Sequence, residues 1–389
     1  MSQLSLKSIT AFITLPTHSI FEASTWSVIA TALWLSTCAR LAISDGKSSP
    51  SLNILCVWRS ILFLIWNPPF PLVDYLWLPF ILNIVIKMKC SVFAPSHITG
   101  FFEIINHQDP LKRGSRGAGV AMDKGVVTNL QIIDNNLSDN MGVNVKINGE
   151  EDAKNASITF KTLEVMDREF GVGSLIGDSK VRIDHELEVP IGAGFGTSAA
   201  CALGTALTLS KILELDITFN KAASMAHIAE IEMESGLGDV VAEVNGGITL
   251  RLKEGAPGVA LTDKMILNCP EKDLYVICKS LGGIETSEII GNPNHKRRIN
   301  STGRDMLNIL LKHPNPETFL KLSKRFAMET GLLSNEVHDI INILEDETIG
   351  ASMAMLGNTA FALSETPDTT VEDVIITKID SYGCRFVDI

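Results

Sequence analysis

Residues 190–200 read Pro-Ile-Gly-Ala-Gly-Phe-Gly-Thr-Ser-Ala-Ala, and the chemistry this run could serve is phosphate binding. Gly192, Gly194 and Gly196 let a backbone curl tightly and approach a ligand with no Cβ in the way. The run opens into a long apolar helical stretch, residues 198–215. Amide N–H groups in the first turn of a helix have no intrahelical acceptor, and the helix dipole favours an anion beside them. Thr197 and Ser198 add hydroxyls that can meet phosphate oxygens or their metal ion. Ahead of the run, residues 181–189 alternate apolar and polar as a strand does. A flexible turn capped by Thr197 or Ser198 is the plain alternative. The complete pattern of strand, glycine turn and hydroxyl-bearing helix start favours the cradle. No Gly-Lys-Ser/Thr closes it, which excludes the Walker pattern, and the glycine spacing excludes the dinucleotide fingerprint.

A second group of reactive side chains follows. His227, Glu230 and Glu234 fall at i, i+3 and i+7 of a helix through residues 221–234, so they share a face, and Asn220 is its expected cap. Gly236 and Gly238 end that helix and Asp239 opens the next element. A carboxylate at a helix start is held ionised and is placed to meet a substrate hydroxyl. Glu230 could hold magnesium through oxygen while the loop supplies other ligands. Taken singly, Glu230, Glu232 and Glu234 also read as a solvated acidic face and Asp239 as an N-cap. Arg251 ends a strand-like run after Gly246 and Gly247, and its guanidinium fork matches a carboxylate in bidentate geometry. Arg113 and Arg116, in a glycine-rich segment, could line the same cleft; a solvated loop charge accounts for them equally well.

Together these segments resemble the GHMP kinase superfamily of small-molecule kinases. Residues 190–200 are similar to its second motif, residues 90–103 (with Ala94 and Pro95) to its first, and residues 350–363 to its third, in family order. The wording of His97-Ile-Thr-Gly-Phe-Phe, Gly114-Ser-Arg-Gly-Ala-Gly, His227-Ile-Ala-Glu and Gly236-Leu-Gly-Asp narrows the resemblance to the archaeal pantoate kinase branch, over residues 88–389. His97 stands where many members carry Lys, Ser96 replaces a usual Gly, and the third motif has lost most of its glycines.

The resemblance implies an α+β fold of two lobes. The N-terminal lobe would carry a left-handed β-α-β unit and the phosphate loop, and a ferredoxin-like C-terminal lobe would carry the third motif. It assigns Pro190, Gly192, Gly194, Phe195, Gly196, Thr197, Ser198 and Ala199 to ATP, and Glu230 with Ser198 to Mg2+. Asp239 becomes the catalytic carboxylate, served by Glu230 and Ser198, and Arg251, His227 and Ser115 become contacts for pantoate. The implied reaction is ATP-dependent phosphorylation of (R)-pantoate to (R)-4-phosphopantoate, in archaeal coenzyme A biosynthesis. Two rivals stay open. One is a GHMP kinase acting on homoserine or mevalonate; the other is a non-catalytic nucleotide-binding regulator, which would be expected to have lost Glu230, Asp239 or the glycine loop. The gem-dimethyl group of pantoate needs an apolar wall that the sequence does not identify.

The elements that must position these residues lie after residue 87. The chain has 389 residues and a formal net charge of −12, and all of the net negative charge comes from residues 88–389. An acidic surface excludes nucleic acid and anionic membranes as partners of this part, since both require clustered Lys and Arg. All five tryptophans lie in residues 1–87, which hold few charges and two apolar stretches, one short and one broken by Pro68, Pro69, Pro71 and Pro79. That segment reads either as a membrane-associated appendage or as sequence ahead of a true start at Met88, the second being favoured. The domains expected are therefore residues 1–87 (hydrophobic extension), 88–260 (ATP-binding lobe) and 261–389 (C-terminal lobe). Helices are expected at residues 316–329 and 334–345, and strands at 359–364, 374–379 and 384–389. Seven cysteines without framework or zinc spacing fit a reducing cytoplasm. A homodimer is left open.

Overall fold

A run of mostly apolar residues forms strand β1 (Lys89–Ile105), which pairs antiparallel along its length with β2 (Gly114–Ile133), from Lys89 opposite Gln131 to Ile105 opposite Gly114. This computed structural model describes residues 89–133, 142–152, 154–177, 179–267, 274–283 and 293–388; the expectations for residues 1–87 and for a start at Met88 lie outside the described residues. Register shifts between Pro95 and Ser96 and between Thr99 and Phe101 bracket residues 96–99 of β1. Such bulges bend a strand and re-aim its side chains.

The free edge of β2 is divided between two partners. Residues 126–133 pair with β4 (Lys180–Leu187), and residues 117–120 pair with β5 (Ile248–Lys253). β3 (Gly142–Ile147) runs parallel to β4, and the two are joined through α1 (Ser157–Phe170) and the short α2 (Val172–Ile176), a β-α-β unit. β6 (Leu261–Lys264) pairs with β5. From the end of β4 the chain enters the glycine loop and then α3 (Thr197–Ile212), whose residues are apolar or small on every side and almost all buried. A helix apolar all round is packed on more than one face, and α3 lies against β1, β2, α1 and α4 (Phe219–Met233). The cap of α4 is Thr218, whose side chain accepts from the Lys221 amide. The expected cap, Asn220, lies inside the first turn, because the extended backbone that a cap requires falls at Thr218.

The rest of the chain builds a second sheet, in the order β10 (Ile375–Lys378), β7 (Tyr275–Gly283), β9 (Gly357–Ser364), β8 (Gly350–Met353). Three helices accompany it: α6 (Pro293–Leu310), α7 (Pro316–Thr330) and α8 (Asn335–Glu347), following α5 (Asp239–Asn245) in the chain. Asn315 and Ser334 cap α7 and α8 through the amides of Thr318 and Val337. Both helices and β9 fall where the sequence predicts them, while the first residues of the third motif are strand β8. The last strand, β11 (Arg385–Val387), returns to the first sheet beside β1, with the Arg385 guanidinium over the Phe93 ring.

β1 serves both cores. Val92 and Ala94 pack with Leu130, Ile183 and Leu203 under α3. Ile98 and Phe101 pack with Phe319, Phe326 and Phe361 between the second sheet and its helices. The arrangement is an α+β fold with two sheets. Among the described residues no helix is long and apolar enough to cross a membrane.

Candidate active site

The loop between β4 and α3 curls as its glycines allow: Gly192, Gly194 and Gly196 have φ of 73°, 89° and 69°, a region that L side chains rarely adopt. Gly196 is the N-cap of α3 and offers no side chain, so the first-turn amides of Thr197, Ser198 and Ala199 are left to an outside acceptor. The other two motifs hold this loop in place. The His97 amide donates to the Phe195 carbonyl at 2.9 Å, and the Thr359 hydroxyl donates to the Ala193 carbonyl at 2.8 Å. The Met355 amide donates to the Thr99 carbonyl at 2.9 Å, tying the third motif to the first. Three segments far apart in sequence thus meet around one glycine turn.

Below the turn lie three carboxylates, Glu230 and Glu243 buried and Asp239 half-buried. The Ser198 and Ser235 hydroxyls both donate to Glu230 Oε1, at 2.6 and 2.8 Å. Gly236 makes room for the second oxygen, since a Cβ there would overlap Oε2. Burial, with the charge of Asp239 added, pushes the Glu230 carboxyl up to about 7. Asp239 is the first residue of α5, and its Oδ1 meets His97 Nδ1 at 2.7 Å and the Thr99 hydroxyl at 3.3 Å. Burial alone would raise the Asp239 carboxyl. The contact with His97, the guanidinium of Arg251 and the Thr99 hydroxyl outweigh it and hold the carboxyl below its ordinary value. Four residues on, Glu243 is fully buried with both oxygens unpartnered among the described residues, and burial raises its carboxyl well above the usual range.

Arg251 faces this acidic group from β5. It is 1% exposed, its Nη2 reaches the Thr99 hydroxyl at 3.5 Å, and its Nε and Nη1 have no hydrogen-bond partner among the described residues. Gly238 keeps a slot open between Ser115 and Arg251, since a Cβ there would collide with Ser115 Oγ and the guanidinium. The resulting cleft, of about 200 Å3, is lined by the loop, Ser198, Glu230, Asp239, Ser115 and Arg251. Phe102, Leu237 and Met355 give it an apolar side.

The remaining sequence expectations divide. His227 does not line the cleft. Its Nε2 hydrogen-bonds the Arg113 carbonyl at 2.9 Å, and burial lowers its pKa to about 4, so it holds the segment that carries Ser115. It shares a helix with Glu230, but the packing of α4 turns it towards the 113–119 segment. Arg113 lies 3.9 Å from the exposed Glu234, and Arg116 pairs with Glu103, so neither lines the cleft. Glu232 pairs at the surface with Lys161 and Arg168. Pro190 is exposed at the foot of the loop. The sequence reading missed His97 as a partner of Asp239, the bridging Thr99, the buried Glu243 and the apolar wall. The one signal for the first of these was a His at the position where related sequences carry Lys.

The donor set suits a hard cation. Glu230 Oε1 with two serine hydroxyls converging on it is an all-oxygen arrangement beside the phosphate-binding turn, the kind magnesium accepts with a phosphate completing its shell. Among the described residues no group of three or more His, Cys, Asp or Glu could hold a metal. Any cation here would therefore rest on fewer than three such side chains, with hydroxyls and other oxygens completing its shell.

Residues 157–247 match the GHMP kinases N terminal domain. A pantoate kinase from Methanocaldococcus jannaschii is 37% identical over 299 residues, covering 76% of this chain and 99% of that protein. A pantoate kinase from Thermococcus kodakarensis is 37% identical over 278 residues, 71% of this chain and 88% of its own. Among solved structures, a phosphotransferase related to the CoA biosynthesis pathway superposes with a TM-score of 0.67 at 33% identity, over 77% of this chain and 99% of its own.

Proposed function

The chain belongs to the pantoate kinase family of GHMP kinases, and we propose that its cleft transfers the γ-phosphoryl group of ATP to the primary hydroxyl of pantoate, giving 4-phosphopantoate for coenzyme A synthesis. One observation carries the acceptor assignment: a fully buried arginine, Arg251, faces the cleft with two guanidinium nitrogens unpartnered among the described residues. A buried cation with open donors is costly unless an anion completes it. The carboxylate of a hydroxy acid fits that fork, and the Gly238 gap beside Ser115 gives it room. Phe102, Leu237 and Met355 would face the gem-dimethyl carbon, the wall that the sequence left unidentified.

Phosphoryl transfer depends mainly on positioning and charge neutralisation. The amides of residues 197–199 at the head of α3 receive the nucleotide phosphates, and Ser198 and Glu230 would hold magnesium. When bound, magnesium would neutralise charge on the phosphate oxygens. Arg251 anchors the carboxylate end of the acceptor, which orients the far hydroxyl towards Asp239. Asp239, kept ionised by His97, Arg251 and Thr99, accepts the hydroxyl proton as the new O–P bond forms and the bond from the γ-phosphorus to the bridging oxygen breaks, releasing ADP. In this reading residues 88–260 supply the nucleotide loop, the base and the anchor, and residues 261–389 supply Met355 and the brace of the third motif.

The test is ATP-dependent phosphorylation by the full-length chain, run against pantoate, homoserine, mevalonate and pantothenate. The expected result is transfer to pantoate in strong preference. Preferred transfer to homoserine or mevalonate would overturn the assignment of pantoate while leaving Arg251 as a carboxylate anchor, since every compound of the panel carries a carboxylate, and transfer to none would overturn the kinase reading.

A further inference from the structure

We propose that His97 is the positioning residue of the catalytic carboxylate: a neutral imidazole that fixes Asp239 relative to the phosphate loop. The inference rests on the role of Asp239 given above. His97 lies in the stretch of β1 bracketed by the two register shifts and is completely buried. Its ring Nδ1 lies 2.7 Å from Asp239 Oδ1, while its own main-chain N–H donates to the Phe195 carbonyl of the glycine loop at 2.9 Å. One residue therefore sets the separation between the base and the turn that receives the phosphates. Thr99, two residues along the same strand, adds its hydroxyl to the same carboxylate oxygen and meets Arg251 with it.

The tautomer follows from the contacts. Full burial disfavours a charged ring, and a carboxylate oxygen at 2.7 Å needs a donor, so Nδ1 carries the hydrogen. Nε2 is then a lone pair, in keeping with its lack of a partner among the described residues. The ring occupies a slot opposite Gly119, where any Cβ would overlap Nε2 and Cε1. This gives a physical reason for that glycine in the 114–119 segment.

Both described contacts to Asp239 fall on Oδ1, which leaves Oδ2 for the acceptor hydroxyl. Asp239 also feels Arg251 from β5, and its own charge acts on Glu230 of α4 and Glu243 of its own helix. A neutral donor steadies the carboxylate in that crowded field without adding a second buried cation beside Arg251.

The test compares three substitutions in the full-length chain. Asn at this position offers an amide hydrogen where Nδ1 stands; Gln offers it nearer the place of Nε2, and Leu offers none. His97→Leu and His97→Gln are expected to lower kcat about 100-fold, as a misplaced catalytic group does. KM for ATP and for the acceptor should stay within about threefold, and His97→Asn should recover at least about tenfold of the loss. In an Asp239→Asn background, His97→Leu should change kcat by less than about twofold, because the ring acts through that carboxylate. Melting curves show which variants fold, and if His97→Leu does not, the Asn and Gln variants decide. A kcat within about threefold of wild type for both His97→Leu and His97→Gln overturns the proposal, as do equal losses for Asn and Gln. The ratios are taken on whichever acceptor the wild type phosphorylates, so a wrong acceptor overturns the substrate reading and leaves this comparison decisive. A wild type that phosphorylates none overturns both.

Discussion

The middle of β1 and its far end lead into two charge clusters, each built on a buried charged group, that finish that group differently. At the end of the strand, Glu103 is 1% exposed and both its oxygens are taken. Arg116 Nε reaches Oε2 at 3.0 Å, and Arg304 Nε and Nη2 reach Oε1 at 3.0 and 2.6 Å. In the middle, around His97 and Thr99, the cluster of Asp239, Arg251 and Glu243 is left open. Arg251 Nε and Nη1, His97 Nε2 and both Glu243 oxygens have no partner among the described residues. A buried polar atom left unmade costs about 1–3 kcal/mol, so folding alone favours the closed arrangement. The closed cluster fastens β1, β2 and α6; the open one reaches the cleft through Thr99, Asp239 and Arg251, where in the proposed reading the acceptor completes it.

The largest effect that would break this contrast falls on the base. Asp239→Asn keeps shape and removes charge, so kcat should fall on the order of 1000-fold while pantoate KM changes little, read by steady-state kinetics. Retention of near-full turnover would end the assignment of Asp239. Next comes the anchor. Arg251→Met should raise pantoate KM roughly 100-fold, the usual scale for deleting one member of a buried charged pair. Because the free protein sheds a buried cation with two unmade donors and loses only the attraction of Asp239 in exchange, its melting temperature should change little. A lowered melting temperature with unchanged KM would make Arg251 structural.

A smaller effect separates Glu230 from both. Its carboxyl titrates at about 7, so on acidification through that value the cation-binding form is lost. Magnesium activation measured at pH 6 and pH 7.5 should show affinity falling about tenfold per unit below 7, and Glu230→Gln should abolish the slope. The sign for folding is opposite to that of an ordinary salt-bridged acid. A raised folded-state value means that ionised Glu230 costs stability as pH rises from about 4.5 to about 7, and bound magnesium offsets this. The smallest effect on catalysis is expected at the closed cluster. Glu103→Ala should lower the melting temperature by roughly 5 °C and leave kcat within about twofold. A large loss of kcat there would erase the distinction between the two clusters.

Much of the site was legible before folding, for local reasons. The glycine run, the hydroxyls after it and the helix it opens are contiguous, so sterics and helix-end chemistry act within a few residues. Glu230 and Asp239 were legible as cleft residues only through the resemblance to the family motifs, since taken singly they also read as a solvated face and an N-cap. His227 was not. Helical periodicity assigns it to the same face as Glu230, but the side chain bonds the Arg113 carbonyl, more than a hundred residues away. The capping of α4 by Thr218 rather than Asn220 has a similar cause, since the extended backbone that a cap requires falls two residues ahead of the expected one.

The sequence by itself determined the glycine turn, the order of the three motifs, the helix and strand pattern of the C-terminal part and the two acidic residues, Glu230 and Asp239, that line the cleft beside that turn. Each depends on residue types within one element or one turn. The tertiary structure alone decided which charged groups are closed and which stay open. Glu103 meets Arg304, His97 meets Asp239, and Arg251 is left with two free donors, across separations of 201, 142 and 152 residues to Arg304, Asp239 and the Thr99 that Arg251 touches. Whether a buried charge finds a partner depends on which distant elements pack against it, and no local pattern in the chain records that.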